Sequence, residues 1–212
     1  MSRVKIFLAV AAASLVVPDL VHAGFVYMQD WEAGTGGWTA KTGSVERVEV
    51  SGAPSGTWVQ QINHNNVDGY YFYSPFISVT PGQTYEISAW INWVGGGCPF
   101  LGVYRYDYNH HLLGKDWLIG APTSNPPGIV TIVPMVDGWH QYSAQLVMPA
   151  GTSYIKLVDK VWGYGKSWYG KPGSDLSYFD NHAVALVPLP AAIVMGGIGV
   201  VFSQIARRRL VR

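Results

Sequence analysis

Cysteine and catalytic signatures are nearly absent from this chain of 212 residues. Cys98 is the only cysteine, so no intramolecular disulfide can form, and nothing around it would activate the thiol. We expect it to be a small buried residue, with an intermolecular bridge as the alternative. The sequence contains neither a GxSxG nor an HExxH motif. We therefore expect no catalysis, and the remaining alternative is a pair of acids such as Asp107 and Asp116, whose separation the sequence does not give.

A basic cluster is missing from the central part of the chain. Residues 24–186 contain eight Lys or Arg against twelve Asp or Glu, a net charge of −4. The basic excess of the whole chain lies in its two ends. No nucleic-acid partner is expected, because such partners require a basic patch or stripe.

The N-terminal end has the composition of a targeting segment. Residues 1–23 begin with Arg3 and Lys5, continue through an apolar region to a break at Pro18, and end in Ala23. This is the layout of a secretory signal peptide that is cleaved after Ala23, and a retained N-terminal anchor is the alternative.

An uncharged apolar run lies at the other end of the chain. Positions 191–206 are followed directly by Arg207, Arg208, Arg209 and Arg212. As a helix these positions would span about 24 Å, slightly less than the hydrocarbon core of a bilayer. We expect a marginal transmembrane helix whose arginine-rich end remains in the cytoplasm and whose preceding chain lies outside. The alternative is a buried C-terminal helix.

The four residues Val187, Pro188, Leu189 and Pro190 precede this run. With the apolar segment and the arginines, they resemble the C-terminal sorting signal of the PEP-CTERM class in its VPLPA variant, over residues 187–209. The resemblance implies an exosortase that cleaves near the prolines and releases the protein toward the cell surface or extracellular matrix. The prolines themselves would keep the segment extended and accessible to an enzyme.

Residues 24–186 are long enough for one domain and have the pattern of strands throughout. Short runs rich in Val, Ile, Tyr, Trp and Thr alternate with turn clusters, and no segment keeps a helical period for three turns. This predicts an all-β antiparallel sandwich or barrel. His110 and His111 follow one such run and are expected in a solvated hairpin turn, with a metal site as the alternative.

Alternation is clearest between residues 84 and 94. One row faces the predicted core: Tyr85, Ile87, Ala89, Ile91 and Trp93. Trp90 belongs to the polar row, where a loop covers it or a ligand stacks on it. The alternation of residues alone does not decide whether the row formed by Tyr104, Tyr106 and Tyr108 faces the core or is exposed.

A second resemblance covers most of residues 28–186. The segments DWEAGTGGW, SPFISVTPGQTYEISAWI, DGWHQYSAQLVMPAGTSYIKL and YFDNHAVAL, in this order, are similar to the jelly-roll carbohydrate-binding modules of the group that binds xylans and β-glucans. The resemblance implies a jelly-roll β-sandwich and a structural calcium ion held by Glu32 and Asp180. Backbone carbonyls and Asp30 or Asn181 would complete its shell of six to eight oxygens. The alternative is that both acids are surface turn residues.

Aromatic side chains are the expected means of holding a sugar, because the flat C–H faces of pyranose rings stack on them. The candidates for carbohydrate binding are Trp58, Tyr71, Trp90, Arg105, Tyr106, Trp162, Tyr164 and Trp168. Two hypotheses follow for an exported protein of this kind. The domain binds an extracellular polysaccharide, or it is a structural or adhesive building block whose aromatic residues contact other proteins.

Overall fold

The computed structural model describes residues 24–42, 44–64, 71–120, 129–133, 136–162 and 175–188. The predicted signal peptide, the apolar C-terminal run, Leu189, Pro190 and Arg207 to Arg209 lie outside these ranges. Across the described part of the chain, no helix has the length and apolar character needed to span a membrane.

The described residues form thirteen β-strands and no α-helix, which confirms the all-β prediction. In chain order the strands are β1 (Phe25–Gln29), β2 (Thr39–Ala40), β3 (Glu46–Glu49), β4 (Trp58–His64), β5 (Tyr71–Tyr73), β6 (Ile77–Ser78), β7 (Thr84–Trp93), β8 (Cys98–Tyr106), β9 (Leu112–Gly120), β10 (Thr131–Ile132), β11 (Trp139–Val147), β12 (Tyr154–Trp162) and β13 (Asp175–Leu186).

Two sheets divide these strands between them. The first, which we call the β13 sheet, has the order β11-β7-β13-β4-β3, with β1 also paired to β13. The second, the β12 sheet, has the order β10-β9-β8-β12-β5-β2, with β6 also paired to β12. All pairs are antiparallel except β10 with β9. The arrangement is a jelly-roll β-sandwich, as predicted.

The core lies between the two sheets and follows the alternation of the strands. The predicted row of β7 is buried, from Tyr85 at 4% exposure to Ile87 and Ala89 at 0%. On β12 the alternating residues Ile155, Leu157 and Val161 face the same core. Cys98 is also buried, as expected.

The turn between β8 and β9 lies where the sequence placed it. Asp107 accepts hydrogen bonds from the backbone N–H groups of Asn109 and His111, at 2.8 and 2.9 Å. His110 adopts a φ of +64°, in the left-handed region. The exposed hairpin end confirms the prediction for His110 and His111.

Candidate functional site

The outer face of the β12 sheet carries a continuous group of aromatic side chains. Because the inward residues of β12 fill the core, the alternate residues Tyr154 and Trp162 point to the outer side. Register extends this side to the neighbouring strands: Tyr154 lies opposite Tyr106 of β8, and Lys160 lies opposite Tyr71 of β5. We call this surface the aromatic face, and its rings are Tyr71, Tyr73, Tyr104, Tyr106, Trp117, Tyr154 and Trp162.

The rings at the centre of the aromatic face contact one another. Tyr71 and Tyr73 are stacked, with centroids 6.2 Å apart and planes 8° apart. Tyr104 meets Tyr73 at 5.7 Å and Trp117 at 6.3 Å, in edge-to-face arrangements. Edge-to-face and offset contacts are the favoured geometries of aromatic pairs, so the rings support each other's orientation.

Trp117 lies across β8 because residue 102 is a glycine. A Cβ atom on Gly102 would be only 2.7 Å from Cε3 of Trp117, closer than real contacts allow. The pairing of β8 with β9 shifts register at this point, between Leu101 and Gly102. The irregularity allows Trp117 to face outward while the adjacent Leu118 and Ile119 are buried.

A second group of rings continues the surface toward the β8–β9 turn. The Phe76 ring stacks on His110, with centroids 4.0 Å apart and planes 10° apart. It also meets Tyr106 at 5.0 Å and Tyr154 at 5.9 Å, edge to face. Phe76 itself is 38% exposed, so this end of the surface is open to solvent.

Burial keeps the hydroxyls of Tyr73 and Tyr104, at the centre of the aromatic face, protonated at ordinary pH. Burial raises the pKa of Tyr104, and the neighbouring Tyr73 and Tyr71 raise it further. Burial, followed by the influence of Tyr71 and Tyr106, also raises the pKa of Tyr73. These two hydroxyls are therefore neutral groups that can both donate and accept hydrogen bonds.

The structure brings together three of the residues proposed for sugar binding. Tyr71, Tyr106 and Trp162 are half-buried members of the aromatic face. Trp58 and Trp90 belong to the other sheet, and Arg47 stacks on Trp58 with its guanidinium carbon 3.8 Å from the ring centroid.

The remaining sequence candidates do not add to this surface among the described residues. Arg105 alternates with Tyr104 and Tyr106, and its guanidinium forms an ion pair with Asp116. Asp107 pairs instead with the His111 ring at 3.2 Å, so Asp107 and Asp116 have separate partners. Tyr164 and Trp168 lie outside the described residues.

Glu32 and Asp180, the predicted calcium ligands, both bind the loop that leads into β4. The Glu32 carboxylate accepts hydrogen bonds from the backbone N–H groups of Thr57 and Trp58, at 2.9 and 2.8 Å. Asp180 accepts from Ser55, with Oγ 2.6 Å from Oδ1 and the backbone nitrogen 3.0 Å from Oδ2. The adjacency of β1 and β13 thus places both acids against one loop.

The surroundings of these two acids are rich in oxygen but already contain a cation. The Ser55 hydroxyl oxygen also lies 3.0 Å from the Asp30 carbonyl oxygen, while the Arg47 guanidinium donates to the carbonyls of Trp31 and Glu32. Carboxylate, hydroxyl and carbonyl oxygens are the ligands that calcium accepts. Among the described residues, no three acids, histidines or cysteines converge on one point, so carbonyl oxygens would have to supply much of a shell.

Strained backbone accompanies both acids. Trp31, next to Glu32, has a φ of +65°, and Asn181, next to Asp180, has a φ of +49°. Asn181 lies where the pairing of β13 with β7 shifts register. Such conformations persist only where the surrounding structure imposes them, and here the backbone N–H of Asn181 donates to the Asp180 carboxylate at 2.7 Å.

A separate polar group lies fully buried between the two sheets. Asp159 of β12 and His182 of β13 are both 0% exposed, and Oδ2 of the acid is 2.7 Å from Nε2 of the imidazole. Nδ1 of His182 is 3.3 Å from the indole nitrogen of Trp31, which can only donate. The ring proton therefore lies on Nε2, which faces the Asp159 carboxylate. We assign this group a structural role, since solvent does not reach it.

Comparison with solved structures identifies domains of the same architecture. The xylan-binding CBM22-1 domain of Paenibacillus barcinonensis Xyn10C matches with a TM-score of 0.52 and 18% identity, over 79% of this chain and 97% of that domain. A xylan-binding domain from CBM 22 matches with a TM-score of 0.52 and 16% identity, over 80% and 99%. In structure, the β-sandwich of this chain resembles family 22 carbohydrate-binding modules.

A third match is the C-terminal family 22 module of Clostridium thermocellum Xyn10B, with a TM-score of 0.51 and 15% identity, over 78% of this chain and 96% of that one. These three structures are binding modules rather than catalytic domains. At such identities the likeness establishes the fold. No family model and no curated protein matches the chain.

Sequence reasoning missed several members of the aromatic face. Tyr73, Trp117 and Tyr154 were not among the candidates, although each lies in a strand-like run of the sequence. For Tyr154 and Tyr73 the alternation with buried neighbours was the available signal. For Trp117 no simple pattern was available, because the register shift breaks the alternation.

Proposed function

We propose that the domain is a non-catalytic module that binds polysaccharide across the aromatic face. The observation that supports the proposal is the set of rings on the outer side of the β12 sheet, where the fold itself does not need them. Their orientation is fixed by mutual contacts such as that between Tyr71 and Tyr73, 6.2 Å apart. A surface of this kind offers flat apolar area in a preformed arrangement, which lowers the entropic cost of binding.

The chemistry of the surface suits a sugar chain. Half-buried rings offer faces for the C–H groups of pyranoses, and protonated tyrosine hydroxyls offer hydrogen bonds to sugar hydroxyls. Modules of the same fold bind xylan, and in the Clostridium thermocellum module cleft residues act in ligand binding. The fold likeness supports a glycan ligand here without specifying it.

Affinity electrophoresis against a panel of soluble polysaccharides tests this proposal. Trp117→Ala removes a central ring and should weaken binding by about 2 kcal/mol or more, about 30-fold, as expected for an aromatic anchor. Trp90→Ala is the matched control, because Trp90 is a half-buried tryptophan of the other sheet. Equal losses in the two variants, in proteins that melt normally, would contradict the assignment of the site. If no glycan retards the protein, the alternative of a structural or adhesive protein that contacts other proteins is favoured.

We further propose that the protein is exported and processed by an exosortase. The support is the leader-like N-terminus and the tail with its Val187 to Pro190 motif and arginines. The expected precursor is inner-membrane-bound and larger than the mature form at the cell surface or in the extracellular matrix. Replacing Pro188 and Pro190 by alanine should leave the precursor uncleaved, and cell fractionation with immunoblotting measures this. Normal processing of that variant would contradict the proposal.

A structural calcium ion remains a proposal. Glu32, Asp180 and Ser55 would hold it together with nearby carbonyls, and the ion would tie β1 and β13 to the loop before β4. The Arg47 contacts with two of these carbonyls would have to be released. A chelator should then lower the melting temperature, and Asp180→Ala should remove the difference between the chelated and calcium-supplemented protein. An unchanged melting curve would exclude the ion.

A further inference from the structure

The lysine side chains are distributed unevenly over the domain. Four lysines belong to the described residues, and every one of them has its ammonium group next to a ring of the aromatic face or of the adjoining Phe76. The distances from Nζ to the nearest ring centroid are 5.2 Å for Lys41, 4.8 Å for Lys115, 4.3 Å for Lys156 and 4.5 Å for Lys160.

These lysines come from separate parts of the sequence. Lys115 lies on β9, Lys156 and Lys160 lie on β12, and Lys41 follows β2. Lys160 contacts two rings, Tyr71 and Trp162, and donates a hydrogen bond of 2.9 Å to the Tyr71 hydroxyl. The ammonium groups therefore lie among the surfaces on which a sugar ring would stack.

Among the described residues, no carboxylate compensates the positive charge of these lysines. Arg47 and Arg105 are engaged elsewhere, with backbone carbonyls and with Asp116. Within the described ranges, no lysine forms an ion pair with a carboxylate. Burial lowers the pKa of the Lys156 ammonium, as expected of a partly desolvated cation without a counter-charge. The domain as a whole is acidic, with a net charge of −4 over residues 24–186, so this face is a local exception.

We infer that the polysaccharide bound by the aromatic face is anionic and carries carboxylate groups, as in uronic acid residues. This inference rests on the proposed function. A neutral sugar that stacked on Tyr71 or Trp162 would displace or desolvate the Lys160 ammonium and give it no counter-charge. A sugar with a carboxylate substituent can stack on the same rings and form a charge-assisted hydrogen bond with the ammonium group.

The test compares two forms of one polymer: glucuronoxylan, and the same glucuronoxylan after chemical reduction of its uronic acid carboxyl groups. Isothermal titration calorimetry of the full domain at low ionic strength should show tighter binding of the acidic form. Its advantage should decrease as sodium chloride is raised toward about 0.5 M, because salt screens exposed charges. Equal binding of the two forms overturns the inference and leaves the proposed function standing. Failure of both polymers and of every other glycan in the panel overturns both.

Lysine variants test whether these side chains cause the preference for the acidic form. Replacing Lys115 and Lys156 together by glutamine should weaken binding of the acidic form by between about 2-fold and about 30-fold, the combined range for two exposed ion pairs. Binding of the reduced form should hardly change. The arginine versions at both positions should retain the preference. Gln141→Glu is the control for net charge alone. It lowers the net charge of the domain by one, at an exposed position on the other sheet.

Two further outcomes would contradict the inference. One is a double glutamine variant that keeps the full preference for the acidic form. The other is a Trp117→Ala protein that still binds the acidic form with wild-type affinity, since binding would then be purely electrostatic and independent of the rings.

Discussion

Removing the imidazole of His182 while keeping a planar ring tests how the two sheets are joined. In His182→Phe, the new ring can occupy the place beside Phe179 and Trp38, whose ring centroids lie 6.1 and 4.8 Å from that of His182. Two polar groups then lose their partners. The Asp159 carboxylate loses its imidazole neighbour at 2.7 Å, and the indole N–H of Trp31 loses its acceptor at 3.3 Å.

The expected destabilisation is large for a single substitution. Leaving a buried polar group without its partner costs about 1–3 kcal/mol, and more for a charged group, so the carboxylate and the indole N–H together should cost about 3–5 kcal/mol. That is a substantial share of the roughly 5–15 kcal/mol that separates folded from unfolded domains. With an m-value of about 2 kcal/mol per molar urea, the midpoint of unfolding should fall by about 1.5–2.5 M.

Urea unfolding followed by tryptophan fluorescence measures this loss. The informative comparison is the double variant Asp159→Leu with His182→Phe, in which both polar partners are replaced by apolar groups. It should be more stable than the single variant by about 2 kcal/mol, since no buried carboxylate remains, while the Trp31 indole N–H is unpaired in both variants. A single variant within about 1 kcal/mol of the wild type, or a double variant as unstable as the single one, would refute the reasoning.

The pH dependence gives an independent check on the same carboxyl group. Burial raises the pKa of Asp159, and His182 opposes this shift. Because the pKa of Asp159 is higher in the folded protein, this carboxyl group contributes stability at any pH below its unfolded-state pKa of about 3.9. The contribution is lost as the pH rises through the folded-state pKa. Without His182 the opposing influence is gone. The deficit of His182→Phe should therefore be smallest below about pH 4 and should grow as the pH is raised toward neutrality.

The remaining predictions concern the surface of the β12 sheet. Gly102→Ala should displace Trp117, lower stability by about 1–3 kcal/mol through overpacking, and weaken glycan binding. Gly82→Ala is its control, because nothing lies within 4 Å of the added Cβ and only the φ of +79° is unfavourable. This control should lose stability and keep its glycan binding. Unchanged binding by a folded Gly102→Ala protein would show that the Trp117 position is unimportant. Arg105→Gln should leave binding within twofold and cost less than about 1 kcal/mol, because the pair with Asp116 is partly exposed. A large loss of binding in that variant would return Arg105 to the site.

Local pattern was sufficient to predict much of the fold. The row from Tyr85 to Trp93 is buried as expected, because β7 lies inside its sheet with one side against the core. The hairpin turn at His110 and His111 was also predictable, since turn residues separate two strand-like runs. The resemblance placed Glu32 and Asp180 at one site, and the pairing of β1 with β13 does bring these two acids to the same loop.

The candidate site was less predictable, for physical reasons. On β8 both faces are covered by rings or aliphatic groups, so the alternation of residues could not separate the core row from the outer one. Val103 faces the core, while Tyr104, only 7% exposed, belongs to the aromatic face. The lysines converge through long-range strand pairing, which no local spacing encodes. Trp58 and Trp90 were plausible candidates by composition, but their strands belong to the other sheet.

The pairing of β1 with β13 also determines where the domain is attached to the rest of its chain. Phe25 lies opposite Ala185, and the N–H of Leu186 approaches the carbonyl oxygen of Gly24 at 3.4 Å. The two ends of the domain are therefore neighbours in the β13 sheet, whereas the rings and ammonium groups lie on the outer face of the β12 sheet. An attachment at either end of the domain therefore leaves the aromatic face free. A long polysaccharide can lie across this face without contacting whatever the domain is attached to.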